Sequence, residues 1–140
     1  MANFDIAFQR VLIKEGVYGN DPNDKGGETC FGITRKSHPN EEMWKIVDDY
    51  KAKYGNNINT LRAYLKKDTT ILNNVRRIYK TSYWNRFQLD KVKNNAIACE
   101  VFDDAVNRGV AGAAKLLKSI FGLPVNGSVT KDLLDKLQEL

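Results

Sequence analysis

The chain has 140 residues, 42% of them hydrophobic and 28% charged, which is typical of a globular domain with a core of its own. No apolar run is long enough for a membrane helix, and the N-terminus lacks the features of a signal peptide. We therefore expect a monomer that is made in the cytoplasm and does not insert into a membrane. The net charge of +5 favours an anionic partner, but the basic residues are scattered, which argues against nucleic acid.

Cysteine usage gives no sign of a disulfide scaffold or a metal site. Two cysteines, Cys30 and Cys99, are too few for a disulfide scaffold, and they lack the C-x-x-C spacing of a zinc site. We expect two free thiols, no metal and no cofactor.

Hydrophobic periodicity predicts a mostly α-helical fold. Turn-forming residues between positions 16 and 34 predict a small β-hairpin or tight loop after the first helix. The predicted helices lie at about residues 4–15, 40–53, 60–66, 69–84, 94–108 and 111–121, with a last helix capped by Thr130.

Glu15 is the candidate general acid. Phe4, Phe8, Val11 and Glu15 share one helix face, so we expect the carboxyl group on the buried side. Gly16 is a natural residue to follow a helix end. Apolar surroundings and the negative helix end would both favour the protonated carboxyl group, which a glycosidase acid requires.

The following loop supplies a candidate second carboxylate. If the segment folds back, Asp24 and Thr29 return toward Glu15, and Asp24 could activate a water that the Thr29 hydroxyl holds. The alternative is that Asp21 and Asp24 only form Asx-turns and that Glu28 is a solvated strand residue.

Residues 15–34, EGVYGNDPNDKGGETCFGIT, resemble the signature of glycoside hydrolase family 108, E-G-G-Y-x-N-x-P-x-D-x-G-G-x-T-x-x-G-I-T. These N-acetylmuramidases, formerly called secretion activator proteins, are related to phage-type lysozymes. Val17 is the one departure from the fixed positions, and valine resists positive φ. The resemblance implies a lysozyme-like fold, with catalytic and substrate-binding residues in this segment. It assigns catalysis to Glu15, Asp24 and Thr29, with Cys30 as the alternative third residue, and substrate binding to Tyr18 and Asn20.

Two further segments match the family. Tyr83 and Trp84 resemble a Y-W pair that closes a helix in the family; their rings could stack on sugars or cover the core. Residues 102–109, FDDAVNRG, resemble the segment opening its peptidoglycan-binding extension. Asn107 would then point its amide at the cleft, or would cap its helix.

These features predict a single lysozyme-like domain over residues 1–140. Residues 1–90 would form the catalytic part and residues 91–140 a helical, peptidoglycan-binding-like lobe packed on it, with a cleft between the 15–34 loop and the helices ending at Trp84 and Asn107. We expect cleavage of the β-1,4 bond between N-acetylmuramic acid and N-acetylglucosamine, with inversion. The expected partners are peptidoglycan glycan strands in the periplasmic or extracellular wall, reached through a holin or a delivery particle. A non-catalytic wall-binding or secretion-assisting module and a lytic transglycosylase remain alternatives.

Overall fold

The computed structural model describes residues 2–23 and 25–140. Within these ranges the chain forms six α-helices and one small antiparallel sheet, which confirms the predicted mostly α-helical class with a hairpin after the first helix. The helices are α1 Phe4–Glu15, α2 Met43–Tyr54, α3 Ile58–Lys67, α4 Thr69–Tyr79, α5 Asn95–Phe121 and α6 Lys131–Glu139. The strands are β1 Tyr18–Asn20, β2 Glu28–Cys30 and β3 Ile33–Thr34.

The chain divides into two compact units. The first unit consists of Met1–Val11 and Ile78–Leu140, and the second of Leu12–Arg77. The prediction of one domain, divided into parts at residue 90, stays a prediction.

The first unit has an aromatic core that begins with α1. The ring of Phe4 stacks on Phe8 at 5.5 Å between centroids and meets the rings of Trp84 and Phe102 edge-on at 5.4 and 5.7 Å. The helix starts at a cap, because the Asn3 side chain accepts a hydrogen bond from the Asp5 N–H at 2.9 Å. Edge-on contacts of this kind add to the free energy gained by burying the rings.

Helix α5 contributes more buried residues to the first unit than any other helix. The Asn94 side chain caps it by accepting bonds from two backbone N–H groups. Gly109, with φ 79° and ψ 163°, breaks it into the two helical segments that the sequence predicts. Its first segment buries Ala98, Cys99, Val101, Phe102 and Ala105, at the spacing of one helix face.

The second unit contains the sheet and the α2–α3 pair. Strands β1 and β2 pair with Tyr18 opposite Cys30, Gly19 opposite Thr29 and Asn20 opposite Glu28. A two-residue turn, Phe31–Gly32, joins β2 to β3, and both of its residues have positive φ. The buried helical residues of this unit include Met43, Trp44, Val47, Leu61 and Leu65.

The helix predicted over 69–84 changes geometry before its end. Regular α-helix stops at Tyr79, and a π-helical turn covers Lys80–Trp84, so the predicted helical span holds but its last turn is wider. Two 3₁₀ turns, Asn85–Phe87 and Leu89–Lys91, follow. None of the helices in the described part of the chain is long and apolar enough to cross a membrane.

Candidate active site

Glu15 is the last residue of α1, as predicted, and Gly16 follows with φ +74°. The Glu15 side chain is exposed, so the expectation that it lies on the buried face of α1 is wrong. The buried stripe of α1 stops at Val11, and in the last turn Ile13 is 85% exposed. The Glu15 side chain is therefore open to solvent rather than enclosed by apolar side chains.

The segment after Glu15 folds back as predicted. The Phe31 N–H donates to the Val17 carbonyl at 2.8 Å, and the next residue, Tyr18, pairs with Cys30. Strand β2 thus returns beside the residues that directly follow Glu15. Val17 fits this geometry because the positive φ falls on Gly16 and not on the valine.

Asp21 and Asp24 lie between β1 and β2 in the sequence. Asp21 makes the Asx-turn considered for it, since its Oδ1 accepts the Asn23 N–H at 2.9 Å. Asp24 lies outside the described residues, and its catalytic role stays a prediction.

Thr29 and Cys30, the two candidates for the third position, occupy different environments. Thr29 is half-buried and lies opposite Gly19 on β1, where an added methyl group would come within 3.4 Å of the Thr29 Oγ1. Because glycine has no side chain, it leaves space beside this hydroxyl. Cys30 has no exposed surface, and burial, with a smaller contribution from the Glu28 charge, raises the pKa of its thiol to about 12. The thiol is therefore buried and neutral.

Glu28 is at the centre of a polar cluster, and the view of it as a solvated strand residue is wrong. Its side chain is only 10% exposed. Its carboxylate accepts hydrogen bonds from Tyr18 Oη at 2.5 Å, Lys51 Nζ at 2.7 Å and Arg35 Nη1 at 3.0 Å. Arg35 also makes two bonds of 2.7 Å to the carboxylate of Asp48. We call these five residues the Glu28 cluster.

The electrostatics of the Glu28 cluster keep the carboxylate ionised. Burial alone would raise the pKa of Glu28, but the hydrogen bonds from Lys51, Tyr18 and Arg35 outweigh it and hold the pKa below its ordinary value. Burial and the bond to Glu28 raise the pKa of Tyr18. The Tyr18 hydroxyl is therefore engaged within the protein, and its predicted contact with substrate stays a prediction.

The sequence offered one signal for this cluster. Residues two apart on a strand share a face, so Glu28 lies on the same side of β2 as the buried Cys30. The partners could not be found in this way, because Lys51 is 23 positions away on α2.

The other predicted binding residues are in different situations. Asn20 and Asn107 are exposed, and Tyr83 is half-buried with its ring 5.6 Å from that of Tyr79. Trp84 has no exposed surface, and its indole N–H donates to Asp90 Oδ1 at 2.8 Å. The expectation that Trp84 stacks on a sugar is therefore wrong, and the alternative, a place in the core, is correct.

The predicted residues divide between the two units. Glu15, Tyr18, Asn20 and Thr29 belong to the second unit, whereas Tyr83, Trp84 and Asn107 belong to the first. Along residues 2–23 and 25–140, no three or more His, Cys, Asp or Glu residues are grouped in a way that could hold a metal ion.

Comparisons with known proteins identify a family and a similar solved structure. The family model described as Glycosyl hydrolase 108 matches residues 8–109. A solved structure of Brucella abortus SagA is similar to this chain, with a TM-score of 0.65 and 26% sequence identity. That similarity covers 98% of this chain and 69% of SagA. No curated protein sequence matches the chain.

Proposed function

This chain belongs to the glycosyl hydrolase 108 family, and from that premise we propose that it is an N-acetylmuramidase. It would hydrolyse the β-1,4 bond between N-acetylmuramic acid and N-acetylglucosamine in peptidoglycan. The observation that carries the proposal is the position of Glu15, an exposed carboxyl group at the end of α1, beside the hairpin that carries Thr29.

In this mechanism Glu15 is the general acid that protonates the oxygen of the departing sugar. An exposed carboxyl group can be reached by a polymeric substrate, and the bound sugars then cover it. The bound glycan then excludes bulk water from the reacting bond.

The hairpin would provide the attacking water. Asp24 acts as the base on the far side of the anomeric carbon, and the reaction inverts the configuration there. Thr29 orients the water through its hydroxyl group. Its half-buried position opposite Gly19 favours Thr29 over the fully buried Cys30 for this role.

The net charge of +5 supports an anionic polymer as the substrate. A positive protein approaches the wall faster at low ionic strength, and salt reduces the effect because the Debye length shrinks.

The proposal is tested by the release of reducing ends from purified peptidoglycan by the wild type, Glu15→Gln and Glu42→Gln. Glutamine has nearly the shape of glutamate but cannot donate a carboxyl proton, so we expect Glu15→Gln to lower the rate by about 10²–10⁴-fold. Glu42 is an exposed acid near the start of α2 and serves as the matched control, which should keep the wild-type rate. A Glu15→Gln variant as active as the control would contradict the assignment.

A further inference from the structure

The two faces of β2 connect the hairpin to different surroundings. Thr29 lies on one face, opposite Gly19 and Thr34. Glu28 and Cys30 lie on the other, where the Glu28 carboxylate reaches Lys51 of α2. A residue on the second face can therefore determine the position of Thr29 without any contact with substrate.

The donors to Glu28 come from three separate segments of the second unit. Tyr18 belongs to β1, Arg35 follows β3, and Lys51 belongs to α2. Bonds from all three fix the side chain of Glu28 in several directions at once. Arg35 is itself held by both carboxylate oxygens of Asp48, so it is oriented before it reaches Glu28.

Stability alone is a weak explanation for such a cluster. When charges are buried, the loss of hydration offsets most of their attraction, and apolar residues of similar volume are often as stabilising. A cluster of directional hydrogen bonds fixes orientation more closely than apolar packing does.

We propose that Glu28 is a positioning residue for the hydrolytic reaction: its carboxylate ties β2 to α2 and thereby holds the hydroxyl group of Thr29 in place for the attacking water. This inference rests on the proposed function. Glu28 touches neither substrate nor water in this role. It acts through the backbone it shares with Thr29.

The test compares Glu28→Gln with a double variant, Glu28→Gln with Lys51→Met, which also removes the ammonium group that donates to Glu28 at 2.7 Å. We measure kcat and KM on soluble glycan chains from peptidoglycan, and the free energy of unfolding in urea. A misplaced Thr29 lowers kcat by about 10²-fold with little change in KM. The double variant regains part of the lost stability because the ammonium group that lost its strongest acceptor is gone, but its kcat stays low.

Glu41→Gln is the matched control. Glu41 is also a partly buried carboxylate of the second unit, held by Asn74 Nδ2 at 2.8 Å and by Arg77, but it lies outside the hairpin. It should lose stability and keep the wild-type kcat. If Glu28→Gln keeps the wild-type kcat, or if the double variant recovers kcat together with stability, the role of Glu28 is only structural and the proposal is wrong.

A second measurement, amide hydrogen exchange, does not depend on activity. It also includes Lys51→Met, a milder change than Glu28→Gln, in case Glu28→Gln does not fold completely. Lys51→Met removes one donor, from a side chain that is already 34% exposed. Amide hydrogen exchange across β2 should be faster than in the wild type for Glu28→Gln and for Lys51→Met, but not for Glu41→Gln. Unchanged exchange in both variants would overturn positioning by Glu28, whereas a wild type that releases no reducing ends would overturn the proposed function.

Discussion

Neighbouring residues of β2 face opposite sides of the hairpin, and this separates the two candidates for the third catalytic position. We expect Thr29→Val, which removes the hydroxyl and keeps the shape, to lower kcat by about 10²-fold. Cys30→Ala should leave kcat unchanged and lower the free energy of unfolding by about 1–2 kcal/mol, because Cys30 lies in the core. Steady-state kinetics of both variants measure kcat, and urea unfolding measures their stability. Loss of activity in Cys30→Ala alone would reverse the assignment.

Phe31 is a bulky residue with φ +50°, in the turn that joins β2 to β3. Phe31 is only 4% exposed, so the free energy gained by burying its ring offsets its unfavourable backbone conformation. Phe31→Ala and Phe31→Gly both lose the ring, at a cost of about 3–5 kcal/mol. Glycine tolerates the left-handed backbone conformation. In urea unfolding, the free energy of unfolding of Phe31→Gly should therefore exceed that of Phe31→Ala by about 0.5–1 kcal/mol. Greater stability of the alanine variant would show that the turn is unstrained.

The secondary-structure elements follow local sequence signals closely. The span predicted for α1, about 4–15, agrees with Phe4–Glu15, because the apolar spacing and the cap at Asn3 act over neighbouring residues. The π-helical turn at Lys80–Trp84 was not predicted, since one wider turn hardly alters the apolar pattern.

The candidate site was less predictable than the elements that carry it. Helical periodicity placed Glu15 on a buried face, but it does not show where packing on that face ends. The Glu28 cluster depends on contacts between segments that are distant in the sequence. The hairpin itself was predicted because its turn residues are local.

Gly109 is the residue that divides α5, and its backbone conformation is one that only glycine adopts readily. We expect Gly109→Ala to lower the free energy of unfolding by about 1–3 kcal/mol. An added Cβ would meet nothing within 4 Å, so the cost comes from the backbone and not from a clash. Ser119→Ala, an exposed position of the same helix, should be neutral or slightly stabilising in the same thermal or urea unfolding experiment. Equal stability of both variants would mean that α5 can be continuous.

The stability of the whole molecule should depend on pH through Glu28. Its pKa is lower in the folded state, so its contribution is complete above the unfolded value of about 4.3 and is lost as the pH falls through the folded value. Asp48, whose pKa is lowered by its bonds to Arg35, acts in the same direction. Urea unfolding between pH 7 and pH 3 should show a steeper loss for the wild type than for Glu28→Gln. Parallel curves would show that Glu28 titrates equally in both states.

The proposed function of the molecule depends on one chemical step, hydrolysis with Glu15 as the acid. Mass spectrometry of the soluble fragments from purified peptidoglycan, treated with the wild type and with Glu15→Gln, tests this step most directly. We predict fragments with reducing N-acetylmuramic acid ends from the wild type, released about 10²–10⁴-fold more slowly by the variant. Anhydromuramic ends would show a transglycosylase, and no fragments from either protein would show a wall-binding or secretion-assisting module; both results would contradict the proposed hydrolysis.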